Sequence, residues 1–208
     1  GPEPAGRKVR FAPGAMERLE RALGDREGVI FISGHLGNWE LMAAAVAARI
    51  EDPVAVLFKA SYDPRFTRLM DRARGRAGVQ GVDVTRPGHL AAALRILRAG
   101  GVLGILQDQP VDQGPLIPFL DRPAPSSTLA ARLHRRHRIP LLVGFNTRRP
   151  GGEHEIFIQE VQGLDGAASE EEATLKIHQC LDKSIRDCPT GWLWSLDRWR
   201  VKEEHQVG

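Results

Sequence analysis

The stretch SGHLGNWE, residues 33–40, sets an imidazole, two glycines, an amide and a carboxylate directly behind a short apolar run, GVIFIS, at 28–33. In an open α/β sheet, chemistry gathers where strands end at their carboxyl edge, and His35 falls at such an end. Gly34 and Gly37 allow a sharp turn and close approach to a ligand. Asn38 suits a helix N-cap, and Glu40 falls in the first helical turn, where the dipole favours its charge. On one continuous helix, residues five apart lie about 140° from each other. With His35 in the turn ahead of the helix, the chain can fold back and bring Glu40 to an imidazole nitrogen. A carboxylate there would fix the tautomer, leave the second nitrogen as a base and stabilise the imidazolium. A capped turn holding a core histidine is also compatible with this spacing.

A base needs something to deprotonate. Ser33 precedes His35 by two residues, but no Gly-x-Ser-x-Gly elbow is present. Ser126, Ser127 and Thr128 read as a helix start, and neither Cys180 nor Cys188 lies in a catalytic-looking loop. The chemistry that follows is a substrate hydroxyl, deprotonated by His35, attacking an activated acyl group with no covalent enzyme intermediate. Metal has little support. His134 and His137 are three apart on an arginine-rich helix without a third ligand nearby, and His-Glu-x-x-His is missing. A P-loop and a Gly-x-Gly-x-x-Gly are missing too, so nothing points to a nucleotide.

The elements that must hold these residues alternate. Apolar strand patterns at 28–33, 54–58, 81–84, 102–106 and 140–145 are separated by helical patterns at 38–50, 63–78, 86–101 and 126–138. Asp63 and Pro64 open the second helix as N-cap and N1 residue. Its apolar stripe is Phe66, Leu69, Met70 and Ala73, with Arg65, Arg68, Arg72 and Arg76 on the other side. The alternating run at 154–161 predicts an antiparallel strand, and 169–188 a helix with an acidic first turn. The fold class is therefore α/β, a single domain with a mostly parallel sheet and helices on both faces. Residues 107–125 hold five prolines and no clear element, and a loop this long in a compact domain is usually functional or disordered.

The 208 residues, 42% hydrophobic, suit one domain with a substantial core. Residues 1–150 carry 23 Lys and Arg against 14 Asp and Glu, and 151–208 carry 6 against 12, so a net +3 divides into +9 and −6. Arginine forks suit phosphate and carboxylate, which admits anionic lipid, an acidic protein or nucleic acid as partner. The aromatic interleaving of a nucleic-acid platform is missing. Cys180 and Cys188 form neither a disulfide framework nor a metal knuckle. No apolar run is long enough to span a bilayer. The chain begins Gly-Pro, as a tag scar does. Residues 1–6 are expected to be scar and linker, 7–202 the domain and 203–208 a tail, with a native anchor ahead of residue 3 expected to be removed.

The block SGHLGNWE resembles the signature of the bacterial lipid A biosynthesis acyltransferases, the lauroyl and myristoyl transferase group of the lysophospholipid acyltransferase superfamily. RARGRAG (72–78), TRPGHLAAALRILRAGG (85–101), LQDQ (106–109), IPFLDRPAPSSTLAARL (117–133) and GWLWSLDRWR (191–200) follow in family order. The resemblance spans roughly residues 7–202. It implies the lysophospholipid acyltransferase-like fold. It also implies transfer of a fatty acyl chain from acyl carrier protein or coenzyme A to a hydroxyl of a phosphoglycolipid. The setting would be the cytoplasmic face of a bacterial inner membrane, and no cofactor is needed. His35 would be the general base and Glu40 its partner. Asn38 would shape the turn, Arg86 would bind phosphate or orient the acyl thioester, and Arg74 is a further candidate for phosphate. Asp108 and Gln109 would lie near the dyad and acceptor. Lys59, Leu120, Asp121, Leu196 and Asp197 depart from the family pattern, which leaves the acceptor open: a glycerolipid, a phosphoinositol mannoside or another alcohol is the alternative. A binding module for lipid or carrier is the reading from a different class.

Overall fold

The computed structural model describes residues 9–24 and 28–200, so the expectations for 1–6 and 203–208 lie outside the described residues. In chain order the elements are β1 (Val9–Phe11), α1 (Ala15–Leu23), β2 (Val29–Ser33), α2 (Trp39–Ala47), β3 (Val54–Phe58), α3 (Pro64–Arg76), β4 (Val79–Asp83) and α4 (His89–Arg98). Then come β5 (Val102–Leu106), β6 (Leu116–Phe119), β7 (Arg122–Pro125), α5 (Leu129–His137), β8 (Leu141–Arg148), β9 (His154–Glu160) and α6 (Glu170–Asp187).

Alternate residues of β2 enter two different cores. Ile30 and Ile32 join one, Val29 and Phe31 the other, because successive strand side chains point to opposite faces. A strand buried on both sides needs helices on both sides. Leu97 of α4, Leu133 of α5 and Ile177 of α6 fill the first core, and Leu19 of α1 with Met42 and Val46 of α2 fill the second. The seven-stranded sheet runs β1-β9-β8-β2-β5-β3-β4. β2, β3, β4, β5 and β8 are parallel, so their carboxyl ends share one edge, and β9 pairs antiparallel to β8. The expected fold class and the antiparallel strand at 154–161 are both present.

Two features differ from the sequence reading, and a third was left open by it. Residues 9–23 form β1 and α1, for which no element was expected. α1 begins behind Gly14 with no side-chain cap, so the usual start signal is missing. Residues 107–125 are not wholly irregular, because β6 and β7 pair as a hairpin. Its two-residue turn is Leu120-Asp121, both at positive φ, where hairpins ordinarily advertise themselves with Asn-Gly or Asp-Gly. The backbone N–H of Leu120 is held by Asp182 Oδ2 at 2.9 Å. Finally, the apolar stripe of α3 is not core. No residue of α3 is buried, since the helix faces a cavity instead of packing flush on the sheet.

Candidate active site

β2 and β5 are neighbours in register, with Ser33 opposite Leu106. Two residues beyond that pair, on the same edge, lie His35 and Asp108. The register therefore delivers a histidine and a carboxylate side by side from positions 73 apart in sequence. The His35 Nδ1 lies 2.9 Å from Asp108 Oδ1, and the His35 backbone N–H donates to Asp108 Oδ2 at 2.6 Å. The indole N–H of Trp192 donates to the same Oδ2 at 2.8 Å. Asp108 is fully buried and His35 is 8% exposed. A buried carboxylate that accepts three N–H groups is well compensated. Being acceptor-only when ionised, it fixes the proton on Nδ1 and leaves Nε2 with its lone pair. Gly34 makes the approach possible, because a Cβ there would stand 2.9 Å from Asp108 Oδ2.

The expected contact between Glu40 and the imidazole is not formed. Glu40 points to α3, where its two oxygens take Arg74 Nε at 3.0 Å and Arg74 Nη2 at 2.5 Å as a fork. The planar guanidinium matches a carboxylate at two points, and a residue in the first turn of α2 faces α3 more readily than it doubles back over its own N-cap. Arg74 also lies over the Phe58 ring, 4.8 Å from its centroid. Its Nη1 is buried with no hydrogen-bond partner, the nearest carboxylate oxygen being Asp71 Oδ1 at 3.9 Å. One donor of a well-anchored arginine is thus free for a ligand.

The remaining candidates divide. Gln109 is exposed and lines the cavity mouth. Asn38 caps α2, its side chain accepting from the Leu41 N–H at 2.9 Å. Arg86 does not join the group: its side chain is 81% exposed and pairs with Asp83 at 3.4 Å. Asp83 is bound by the N–H and hydroxyl of Thr85. Burial pushes its carboxyl up, but these hydrogen bonds, one from the Ala60 backbone N–H and the charge of Arg86 together hold it below the usual range.

Beside the dyad, a cavity of about 290 Å³ runs between α2, β3, β5 and α3. His35, Glu40, Arg74 and Gln109 give it a polar end at the carboxyl edge. From there Ala43, Val46, Val54, Val56, Val102 and Gly104 carry it along an apolar path to the opposite ends of β3 and β5. Five strand residues give that path a length of roughly 13 Å.

Sequence reasoning missed two supports of the turn. Trp192, in the block GWLWSLDRWR, both donates to Asp108 and pairs with Leu36 across an antiparallel bridge. Asn146 on β8 accepts from the Asn38 backbone N–H at 2.8 Å and donates to its carbonyl at 2.5 Å. An indole N–H and an amide can each bond anywhere, so neither carries a local signal. Gly37 sits between them at φ +70, and a Cβ there would lie 2.0 Å from the Asn146 carbonyl oxygen. Gly37→Ala is expected to destabilise the protein by about 2 kcal/mol or more through strain and displaced packing, read by chemical denaturation. A change under about 0.5 kcal/mol would show that the turn relaxes freely.

Behind Asp108 is a buried charged cluster. Arg198, fully buried, donates to the Pro125 carbonyl at 2.5 Å and Ser126 Oγ at 2.8 Å, and lies 5.0 Å from the Phe119 ring centroid. Burial lowers its pKa to about 10, against the pull of Asp108 and Asp182, so it stays charged near neutrality. Burial likewise lowers His178 to about 4, with a hydrogen bond to the Pro118 carbonyl opposing, and raises Asp182 to about 6. Among the described residues, no group of three or more His, Cys, Asp or Glu is placed to hold a metal ion.

The family model for bacterial lipid A biosynthesis acyltransferases matches residues 7–201. No curated protein matches the chain.

Proposed function

The chain belongs to the bacterial lipid A biosynthesis acyltransferase family and is an acyltransferase acting toward a lipid A-type acceptor; from that premise we propose a direct transfer in which His35 is the general base and Asp108 its orienting carboxylate. His35 Nε2 takes the proton from an acceptor hydroxyl as that oxygen attacks the carbonyl carbon of an acyl thioester. The carbon–sulfur bond of the resulting tetrahedral intermediate breaks, and the proton on Nε2 passes to the leaving sulfur. The products are an ester and a free thiol. No enzyme group is acylated, in keeping with the absence of an elbow serine beside His35. Asp108 holds the Nδ1 proton and stabilises the imidazolium.

The observation that carries this reading is the His35–Asp108 pair at the polar end of a long apolar cavity. The apolar path suits a fatty acyl chain, and the thioester carbon is then left at the mouth with the base. Arg74, held by Glu40 and with Nη1 free, suits an oxyanion or an acceptor phosphate. This assigns Glu40 to the arginine and not to the imidazole. The donor is acyl carrier protein, for which the basic surface of residues 1–150 is a suitable complement. The acceptor is a phosphoglycolipid at a membrane surface. Among the described residues, no helix is long and apolar enough to cross a membrane.

The test is transfer from labelled acyl carrier protein, and separately from acyl-coenzyme A, to detergent-dispersed lipids with and without phosphate and sugar. Labelled ester on a phosphoglycolipid, formed by the wild type and lost in His35→Ala, is the expected result. Free fatty acid as the sole product would mean that water is the acceptor and the protein a thioesterase. Ester formation equal in His35→Ala would remove His35 from the mechanism.

A further inference from the structure

Arg198 is a buried charge with no counterion bonded to it. Its Nη1 and Nη2 go to neutral acceptors, the Pro125 carbonyl and Ser126 Oγ, and its Nε has no hydrogen-bond partner among the described residues. A fully buried guanidinium is costly unless opposite charge lies near. The carboxylates whose charge acts on it are Asp108 and Asp182. Asp182 is half-buried and accepts the Leu120 N–H. Asp108 is fully buried, and its contacts are the His35 backbone, His35 Nδ1 and the Trp192 indole. None of these is a positive charge until His35 takes a proton. Two deeply buried ions of opposite sign thus sit close together, each without a bonded counterion.

Rings connect the two. The Arg198 guanidinium carbon lies 5.0 Å from the Phe119 centroid, the Phe119 and Trp192 centroids are 5.9 Å apart, and the Trp192 indole donates to Asp108. Both rings are buried, so water is kept out and the field of the guanidinium is weakly screened. A second connection is mechanical. Arg198 holds Pro125 and Ser126, the carbonyl of the next residue, Ser127, takes Gln107 Nε2 at 2.6 Å, and Gln107 directly precedes Asp108. The other charged groups around the dyad do not replace Arg198. On the cavity side Glu40 and Arg74 neutralise each other as a fork, and Lys59 is exposed. On the α6 side burial lowers His178 to about 4, which leaves it neutral near pH 7. Arg186 and Asp121, whose charges reach Asp182, pair with each other at the surface.

We propose that Arg198 is a positioning residue for acyl transfer: it supplies the standing countercharge of the Asp108 carboxylate and anchors the segment against which Asp108 is set. This rests on the reading of Asp108 as the carboxylate that orients His35. Removing a nearby positive charge makes a titrating pair hold its proton more tightly. Without Arg198 the His35–Asp108 pair therefore needs a higher pH before Nε2 is free to act as a base. Removing Asp182, an anion acting on the same guanidinium, works in the opposite sense. A residue that only packed the C-terminal segment would lower stability and rate alike at every pH.

The test is the pH dependence of kcat for transfer to a detergent-dispersed acceptor, with melting curves. Wild type is compared with Arg198→Met, Arg198→Lys, Asp182→Asn, Asp108→Asn and the double variant Arg198→Met/Asp108→Asn, with His35→Ala as control. Arg198→Met is expected to move the acid limb up by about one pH unit, a roughly tenfold loss on that limb and a smaller one at the alkaline plateau. Arg198→Lys keeps the charge and should hold the limb near wild type even though it melts lower. Asp182→Asn should move the limb down, and it decides the question if Arg198→Met does not fold. In the Asp108→Asn background Arg198→Met should cost little more, because the charge it served is gone. An unmoved limb in Arg198→Met or in Asp182→Asn, a shift of both in the same direction, or equal losses in the two backgrounds overturns the inference. His35→Ala and Asp108→Asn as fast as wild type would instead overturn the reading of the dyad on which it rests.

Discussion

Asp108→Asn is expected to lower kcat for acyl transfer on the order of 10³–10⁴-fold, as loss of the orienting carboxylate does in hydrolytic triads, with little change in KM. The carboxylate makes three contacts, from the His35 backbone, His35 Nδ1 and the Trp192 indole. The substitution preserves size but introduces an N–H₂ where only acceptors are wanted. An amide placed with its oxygen on the two Oδ2 donors would direct N–H₂ at Nδ1. The imidazole would then carry its proton on Nε2 and have no lone pair for the acceptor hydroxyl. His35→Ala removes the base itself and should cost about 10²–10⁴-fold, so the two losses overlap. Steady-state kinetics with melting curves for both variants provide the check. Asp108→Asn within tenfold of wild type, with Glu40→Gln inactive, would transfer the orienting role to Glu40.

The second large effect belongs to the fork between Glu40 and Arg74. Arg74→Met should reduce kcat/KM by roughly 10²–10³-fold, the size associated with one donor to a developing oxyanion. Arg74→Lys should recover little, because an ammonium cannot hold both Glu40 oxygens and also offer a donor in the plane. Glu40→Gln should act through the arginine. The double variant Glu40→Gln/Arg74→Met is therefore expected to be about as slow as Arg74→Met alone, a strongly non-additive cycle. If Glu40 instead served the imidazole independently, the two losses would multiply. Both side chains are largely but not fully buried, at 29% and 11% exposed. A moderate loss of stability from the single variants is expected, smaller than for a fully desolvated pair.

Much of the frame could be read directly along the chain. The alternation of apolar runs and helical patterns, the capping signals at Asn38 and Asp63, the acidic first turn at 169–188 and the two-residue period at 154–161 all appear as elements. These are local properties, set by residues within a turn or a strand of one another. His35 at a strand end followed from the same local logic, and its part in an acyltransferase signature came from the resemblance. The hairpin at 116–125 escaped because Leu120 and Asp121 adopt positive φ without the residue types that announce it.

The partner of His35 was a different kind of question. The sequence by itself determined that a histidine would stand at a strand end, with a carboxylate five residues on in the following helix and a row of arginines on the next one. It pointed to Glu40 because Glu40 is near along the chain. Only the tertiary structure decided the pairing. β5 lies between β2 and β3 in the sheet, and its register with β2 places Asp108 two residues beyond Leu106, beside His35. α3 meanwhile offers Arg74 to Glu40 from 34 positions away. Strand order and register are settled by burying two apolar faces at once, a whole-molecule balance that no short window of residues contains. The same balance left the stripe of α3 uncovered at the cavity mouth, which its periodicity alone did not tell.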